Sequence, residues 1–278
     1  MLPSILIIIL LILPFPLFLY TFPDILYKSL LSVLHLLYNI QRFTSSLAQI
    51  RKPRITVSYD SIKQVISIVD RIPKHLAVIY WRRVEEEEGN GEGVEIGYRE
   101  IGKLACWAAS AGIKVLSIYE AEGKLKRIVR QLQHHVDAEA RRFFAREGNI
   151  PILRVSVVYN SSSTEDIQAD LQIILLSRSD GRGRIVEVTK SLASETSLGN
   201  LQSDAIDVER IDQALSDSHF TEPQQLIMFS PEIDLQGFPP WQLRLTEIFH
   251  IAGNKHFDYS VFQEALIKYA KIDKRFGR

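Results

Sequence analysis

The chain opens on an unbroken apolar stretch. Leu2 through Phe22 carries no charged side chain and is dominated by Leu, Ile and Phe. A bilayer core takes roughly 20 such residues to cross, so a transmembrane helix is expected here, kinked at Pro14 and Pro16. A signal peptide is the rival reading. Against it stand the missing basic residues ahead of the stretch, its length, and the lack of a small-residue cleavage site. Lys28, Arg42, Arg51, Lys52 and Arg54 all follow the span, and by the positive-inside rule the body then faces the cytosol. Between Ile25 and Ile40, Leu26, Leu30, Val33, Leu34 and Leu37 recur at spacings of three and four, with Lys28, Ser29, Ser32 and His35 between them. That spacing predicts a helix on or dipping into the membrane surface. A second span would put the domain on the opposite face, and Lys28 and His35 argue against it. The expected division is a transmembrane helix over 1–22, an amphipathic helix and linker over 23–50, and a globular domain over 51–278.

From Arg51 onward, short apolar runs alternate with amphipathic patterns, which predicts an α/β fold: a mostly parallel central sheet with helices on both faces. Ser61 to Arg71 is expected to be a helix stopped by Pro73, and His75 to Trp81 a buried strand. Glu85 to Gly93 can bury nothing and is assigned to a solvated loop. Ile101, Leu104, Ala105 and Ala108 mark a helix ended by Gly112, and Ile113 to Tyr119 the next strand. A charged helix over about Gly123 to Glu147, a strand at Ile152 to Val158 and a helix opening near Ser163 or Thr164 continue the series. Leu171 to Leu176 is a further strand, then a turn at Ser179 to Arg182 and a helix containing Ile185, Val188 and Leu192. Asp204 to Leu215 reads as a helix and Gln225 to Phe229 as a late strand.

Composition excludes some functions. Equal counts of 33 basic and 33 acidic residues give no case for nucleic acid. The single cysteine, Cys106, rules out an intramolecular disulfide, and its neighbours Ala105, Trp107 and Ala108 point to a buried thiol. His134 and His135 are assigned to a helix surface, and Asp180-Gly181-Arg182 could receive an anion or simply turn the chain. Asn160-Ser161-Ser162 is a glycosylation sequon that a cytosolic domain leaves unmodified. Neither a Gly-x-Gly-x-x-Gly after the first strand nor a Walker A sequence is present.

The carboxyl terminus holds the sharpest candidate chemistry. Ser260 with Gln263 reads as a capping box, and Val261, Phe262, Ala265, Leu266, Tyr269 and Ile272 recur at helical spacing. A docked helix would thus aim the tail Lys274-Arg275-Phe276-Gly277-Arg278. Arg275 offers a planar donor fork suited to phosphate oxygens, and Gly277 lets backbone approach a ligand. A frayed basic terminus is the plain alternative.

The stretch from Leu226 onward resembles the cis-prenyltransferase family, specifically its membrane-anchored, non-catalytic Nogo-B receptor type branch. Gly237-Phe238-Pro239-Pro240-Trp241-Gln242-Leu243-Arg244-Leu245-Thr246-Glu247, the helix after Asp258, and the Arg275-Phe276-Gly277 ending carry the likeness. Upstream, Pro73 to Ile79 is similar to the family's first strand, and Tyr119 to Gly123 follows the second. Departures are informative. Catalytic members place Asp-Gly-Asn-Arg-Arg after that strand, whereas Tyr80-Trp81-Arg82-Arg83 stands here; Met228 and Asp234 occupy positions where catalytic members have diphosphate-gripping arginines. Glu232 and Glu247 match family acids without their partners.

The resemblance implies an inactive subunit of dehydrodolichyl diphosphate synthase, anchored at the endoplasmic reticulum membrane by a single pass. Arg275 and Gly277 would act in trans, holding isopentenyl diphosphate in a catalytic cis-prenyltransferase subunit. That partner would bind Mg2+ and elongate farnesyl diphosphate to the dolichol precursor used in protein glycosylation. Phe238, Trp241, Leu243 and Phe249 are the expected interface anchors, although core packing explains them too. A membrane-anchored scaffold or receptor without catalytic contribution is the alternative.

Overall fold

The structure, a computed structural model, describes residues 27–37, 57–80, 92–157, 168–215, 220–230, 232–251 and 258–272. Two compact units divide the chain, Met1–Arg54 and Ile55–Arg278. In the first, residues 27–37 are helical and exposed throughout. Among the described residues no helix is long and apolar enough to cross a membrane, and the span expected over Leu2 to Phe22 lies outside them.

The second unit is built on six parallel strands: β1 His75–Ile79, β2 Val115–Tyr119, β3 Leu153–Val157, β4 Leu171–Leu176, β5 Gln225–Phe229 and β6 Glu247–Ile251. Their order is β3-β4-β2-β1-β5-β6. The helices are α1 Tyr59–Ser67, α2 Glu92–Ala111, α3 Lys124–Arg127, α4 Val129–Phe143, α5 Arg182–Ser197, α6 Val208–Leu215 and α7 Tyr259–Lys271. β1 and β5 are buried at every position, as strands covered on both faces must be.

Strand alternation sorts these side chains into two layers. Leu76 and Val78 of β1, Leu116 and Ile118 of β2, Ile173 and Leu175 of β4, and Ile227 and Phe229 of β5 join the apolar faces of α1, α2, α4 and α7. The residues between them, Ala77, Ile79, Tyr119, Ile174, Leu176, Leu226 and Met228, meet Phe220, Leu235, Phe238 and Leu243 instead. This second face is therefore closed largely by the segment 235–243, which includes the 3-10 turn Pro240–Leu243. Helices α5 and α6 form a smaller cluster through Val188, Leu192 and Leu215, and Trp241 packs against it.

Several expected elements change at their ends. The helix expected over about Gly123 to Glu147 is broken at Ile128, whose φ of −120° is not helical, giving α3 and α4. Glu92 and Gly93, assigned to a loop, open α2. β6 was not anticipated from the sequence pattern. The residue capping α7 is Asp258, whose Oδ1 accepts from the Val261 amide at 3.1 Å, and the Ser260 hydroxyl donates to that same carboxylate. Ser260 thus supports the cap without forming it. The helix expected near Ser163 and the sequon at Asn160 lie outside the described residues.

Candidate functional site

In an open parallel sheet, ligands bind beyond the carboxyl ends of the strands. Here β2 ends in Tyr119, which is fully buried; its hydroxyl donates to the Gln236 carbonyl at 2.7 Å, and its ring lies 5.4 Å from that of Phe238. Burial pushes the Tyr119 hydroxyl up to about 12, against the opposing pull of Arg178. Glu120 follows, and its carboxylate accepts from the amides of Glu122 at 2.8 Å and Lys124 at 2.6 Å. Those bonds fold the turn that begins α3, with Gly123 at φ 71°. After β4, Asp180 accepts from the Ser177 amide at 2.7 Å and pairs with Lys126. The Asp180 carboxylate thus braces the turn that leads from β4 into α5.

Gly181 and Gly237 bring two loops into contact across this edge. A Cβ on Gly181 would fall far inside van der Waals distance of the Gly237 carbonyl oxygen, and Gly237 itself sits at φ 86°. The preceding Gln236 is also left-handed, at φ 52°. Tyr119, Phe238 and this glycine contact lie against one another beyond the end of β2. At β5, Met228 is fully buried and Asp234 is exposed, accepting from the Gln236 amide at 2.8 Å. Neither presents a cation. After β1, the Tyr80 hydroxyl donates to Glu100 at 3.2 Å, while Trp81 to Arg83 and the acidic run from Glu85 lie outside the described residues.

Glu120 and Asp180 do not suit a divalent metal, since both Glu120 oxygens and Asp180 serve backbone amides or Lys126. Among the described residues no cluster of three or more His, Cys, Asp or Glu side chains could hold a metal ion. Among the described residues, cavities lie elsewhere. One of about 310 Å³ lies between α5 and α6, lined by residues including Arg184, Glu187 and Arg210. Another of about 280 Å³ lies between β6 and the end of α7, lined by Gln225, Glu247, Phe249, Lys268 and Lys271 among others.

The helix leading to the tail is docked. Val261, Phe262, Ala265, Leu266 and Tyr269 of α7 are buried, Trp107 packs edge-on to Tyr259 at 5.5 Å, and Gln225 donates from Nε2 to the Ala265 carbonyl at 2.7 Å. Arg275 and Gly277 lie outside the described residues. The four expected interface anchors divide. Phe238 and Phe249 are buried in the chain's own core, at 1% and 8% exposure. Trp241 and Leu243 are half-buried, and the Trp241 indole donates to Asp212 of α6 at 2.8 Å. Exposed apolar side chains of this unit include Val186 and Val208 on α5 and α6, and Ile233, Leu245 and Ile248. Arg71, which meets the end of α7, carries no local sequence signal and was not expected.

No family model matches the chain. It is 31% identical to the dehydrodolichyl diphosphate synthase complex subunit NUS1 of Saccharomyces cerevisiae, over 92% of this chain and 75% of that protein. It is 33% identical to the corresponding subunit of Schizosaccharomyces pombe, over 79% of this chain and 83% of that protein. More distant relatives include isoprenyl and cis-prenyltransferases of bacteria and a plant. Among solved structures, lavandulyl diphosphate synthase from Lavandula x intermedia superposes with a TM-score of 0.54 at 21% identity, over 74% of this chain and 99% of that one, a likeness of fold.

Proposed function

Since the chain belongs to the family of dehydrodolichyl diphosphate synthase complex NUS1 subunits, we propose that it is the non-catalytic, activating subunit of such a complex. The observation that carries this reading is the state of its own strand ends. Tyr119, Glu120 and Asp180 are engaged in holding loops, Gly181 abuts Gly237, and Met228 is apolar where a diphosphate would need a cation. A catalytic cis-prenyltransferase partner then supplies the site where farnesyl diphosphate is extended with isopentenyl diphosphate. Magnesium, which offsets diphosphate charge, belongs to that partner; among the described residues here, Glu120 and Asp180 are already engaged.

This chain's contribution is its tail. Arg275 can donate two parallel bonds to a phosphate, and Gly277 leaves its amide open to an anion. The docked α7 carries both toward the partner. Pairing uses the half-buried Trp241 and Leu243 with the exposed Val186, Val208 and Leu245, since aromatic anchors dominate interface energetics. Leu2 to Phe22 crosses the endoplasmic reticulum membrane and the domain faces the cytosol. The helix over 27–37, which exposes Leu30, Leu34 and Leu37, lies against lipid.

The test is incorporation of labelled isopentenyl diphosphate onto farnesyl diphosphate by this chain alone, by a catalytic cis-prenyltransferase alone, and by both co-expressed. Activity confined to the pair, and reduced at least about tenfold by Arg275→Ala, is expected for one lost charged contact. An active pair indifferent to Arg275→Ala would make the chain a scaffold. Activity from this chain alone would end the non-catalytic reading.

A further inference from the structure

Arg71 lies between α1 and β1, yet it holds the far end of the chain. Its Nη2 donates to the Tyr269 carbonyl at 3.1 Å and to the Ile272 carbonyl, and its guanidinium stands 4.9 Å from the centre of the Tyr269 ring. The last carbonyls of a helix lack the usual i+4 amide and carry the negative end of its dipole; that of Tyr269 also accepts from the Ile272 amide at 3.3 Å. A guanidinium bridging these groups caps α7 from outside. Tyr269 is 2% exposed, so the platform under Arg71 is rigid. Ile272 leaves the helix with φ −74° and ψ 125°, an extended geometry, and it is held at the carbonyl from which the chain departs. Only Asp273 and Lys274 separate it from Arg275.

The two ends of α7 are thus fixed by different means. Asp258 caps its start, while Arg71 clamps its exit from a position 198 residues before Tyr269. Both bonds leave one nitrogen, Nη2, whose two N–H bonds are held in the guanidinium plane, whereas a lysine ammonium sits on a flexible stem with no fixed plane. The Arg71 Nε has no partner among the described residues, so the bridge depends on Nη2.

We propose that Arg71 is a positioning residue for the carboxyl-terminal tail. By holding the Tyr269 and Ile272 carbonyls it fixes the direction in which the chain leaves α7 at Ile272, and so how well Arg275 and Gly277 hold isopentenyl diphosphate in the partner's site. This rests on the reading above that the tail acts there. Its chemical basis is pre-organisation: a tail whose root is clamped gives up less freedom when it engages a diphosphate.

The experiment uses the full chain co-purified with a catalytic cis-prenyltransferase, comparing wild type, Arg71→Ala, Arg71→Lys, Arg275→Ala and the Arg71→Ala/Arg275→Ala double variant. Arg71→Ala is expected to leave the pair assembled and to raise KM for isopentenyl diphosphate about fivefold to tenfold, the scale of one ordinary hydrogen bond and below the full loss of a charged contact. Arg71→Lys should fall between. In the Arg275→Ala background, loss of Arg71 should cost clearly less than in wild type, because only the Gly277 backbone is left to misplace.

An unchanged KM in Arg71→Ala, where Arg275→Ala does raise it, overturns the clamp and leaves the tail reading standing. So does a double variant in which both effects multiply in full, since Arg71 would then act through the fold at large. If Arg71→Ala does not assemble, Arg71→Lys carries the test, and a wild-type KM there overturns the clamp. A silent Arg275→Ala removes the tail reading first, and the role of Arg71 falls with it.

Discussion

The carbonyl oxygen of Gly237 occupies the place a side chain on Gly181 would need. The turn after β4 and the loop after β5 are consequently in backbone contact, over the edge where a parallel sheet ordinarily receives its ligand. Gly181→Ala forces one of them to move. Overpacking of this kind costs about 1–3 kcal/mol. Thermal unfolding of the purified chain should show that loss, and a midpoint equal to wild type would mean the loops can separate freely.

Core and interface roles separate at two nearby aromatics. Phe238 is buried against Tyr119, so Phe238→Ala should destabilise the isolated chain by about 3–5 kcal/mol. Trp241 is half-buried and tied to Asp212, so Trp241→Ala should instead weaken capture of the catalytic subunit at least about tenfold, with a smaller loss of stability. Pull-down titration alongside denaturant unfolding distinguishes them. The assignment is wrong if Trp241→Ala pairs normally.

His75 makes stability depend on pH. Its Nε2 lies 2.7 Å from Ser117 Oγ and its Nδ1 3.2 Å from Thr221 Oγ1, and burial lowers its pKa from 6.5 to about 4. The unfolded chain therefore binds the proton more readily than the folded one. The contribution is complete above pH 6.5 and is lost as pH falls from there toward 4, reaching about 3 kcal/mol. Denaturant midpoints should fall over that window, and His75→Asn should flatten the slope. A slope identical in the variant would assign the dependence to other groups.

Cys106 is fully buried, and burial pushes its thiol up to about 12, with Glu139 adding to the effect. At pH 8 very little thiolate exists to react. Labelling by a thiol reagent should be at least about 100-fold slower in the folded chain than in denaturant. As the single cysteine, it then reports unfolding directly. Fast labelling of the folded chain would contradict its burial.

Much of the sheet was legible because its inner strands are mostly apolar runs. Leu171 to Leu176 and Gln225 to Phe229 appear where the pattern places them. β6 was hidden because it is an edge strand carrying Glu247 and His250, with only Phe249 buried. The split between α3 and α4 was hidden as well, since it comes from Ile128 backbone geometry, and apolar spacing continues across it. The buried face of α7 was readable from its spacing, but its clamp was not. Arg71 reaches Tyr269 across 198 residues, and no local pattern records such a contact.

The position of β1 has a consequence for how the chain is made. β1 lies between β2 and β5. On the ribosome it can pair with Val115–Tyr119 early, but its other edge waits for Gln225–Phe229. At about 5–20 residues per second, the edge of an apolar strand stays open for roughly 5 to 20 seconds, a period when chaperones compete with misassociation. A premature stop anywhere ahead of Gln225 makes that interval permanent. Truncated products should be cleared as misfolded chains, so loss-of-function alleles of this type act by abundance before any question of catalysis arises.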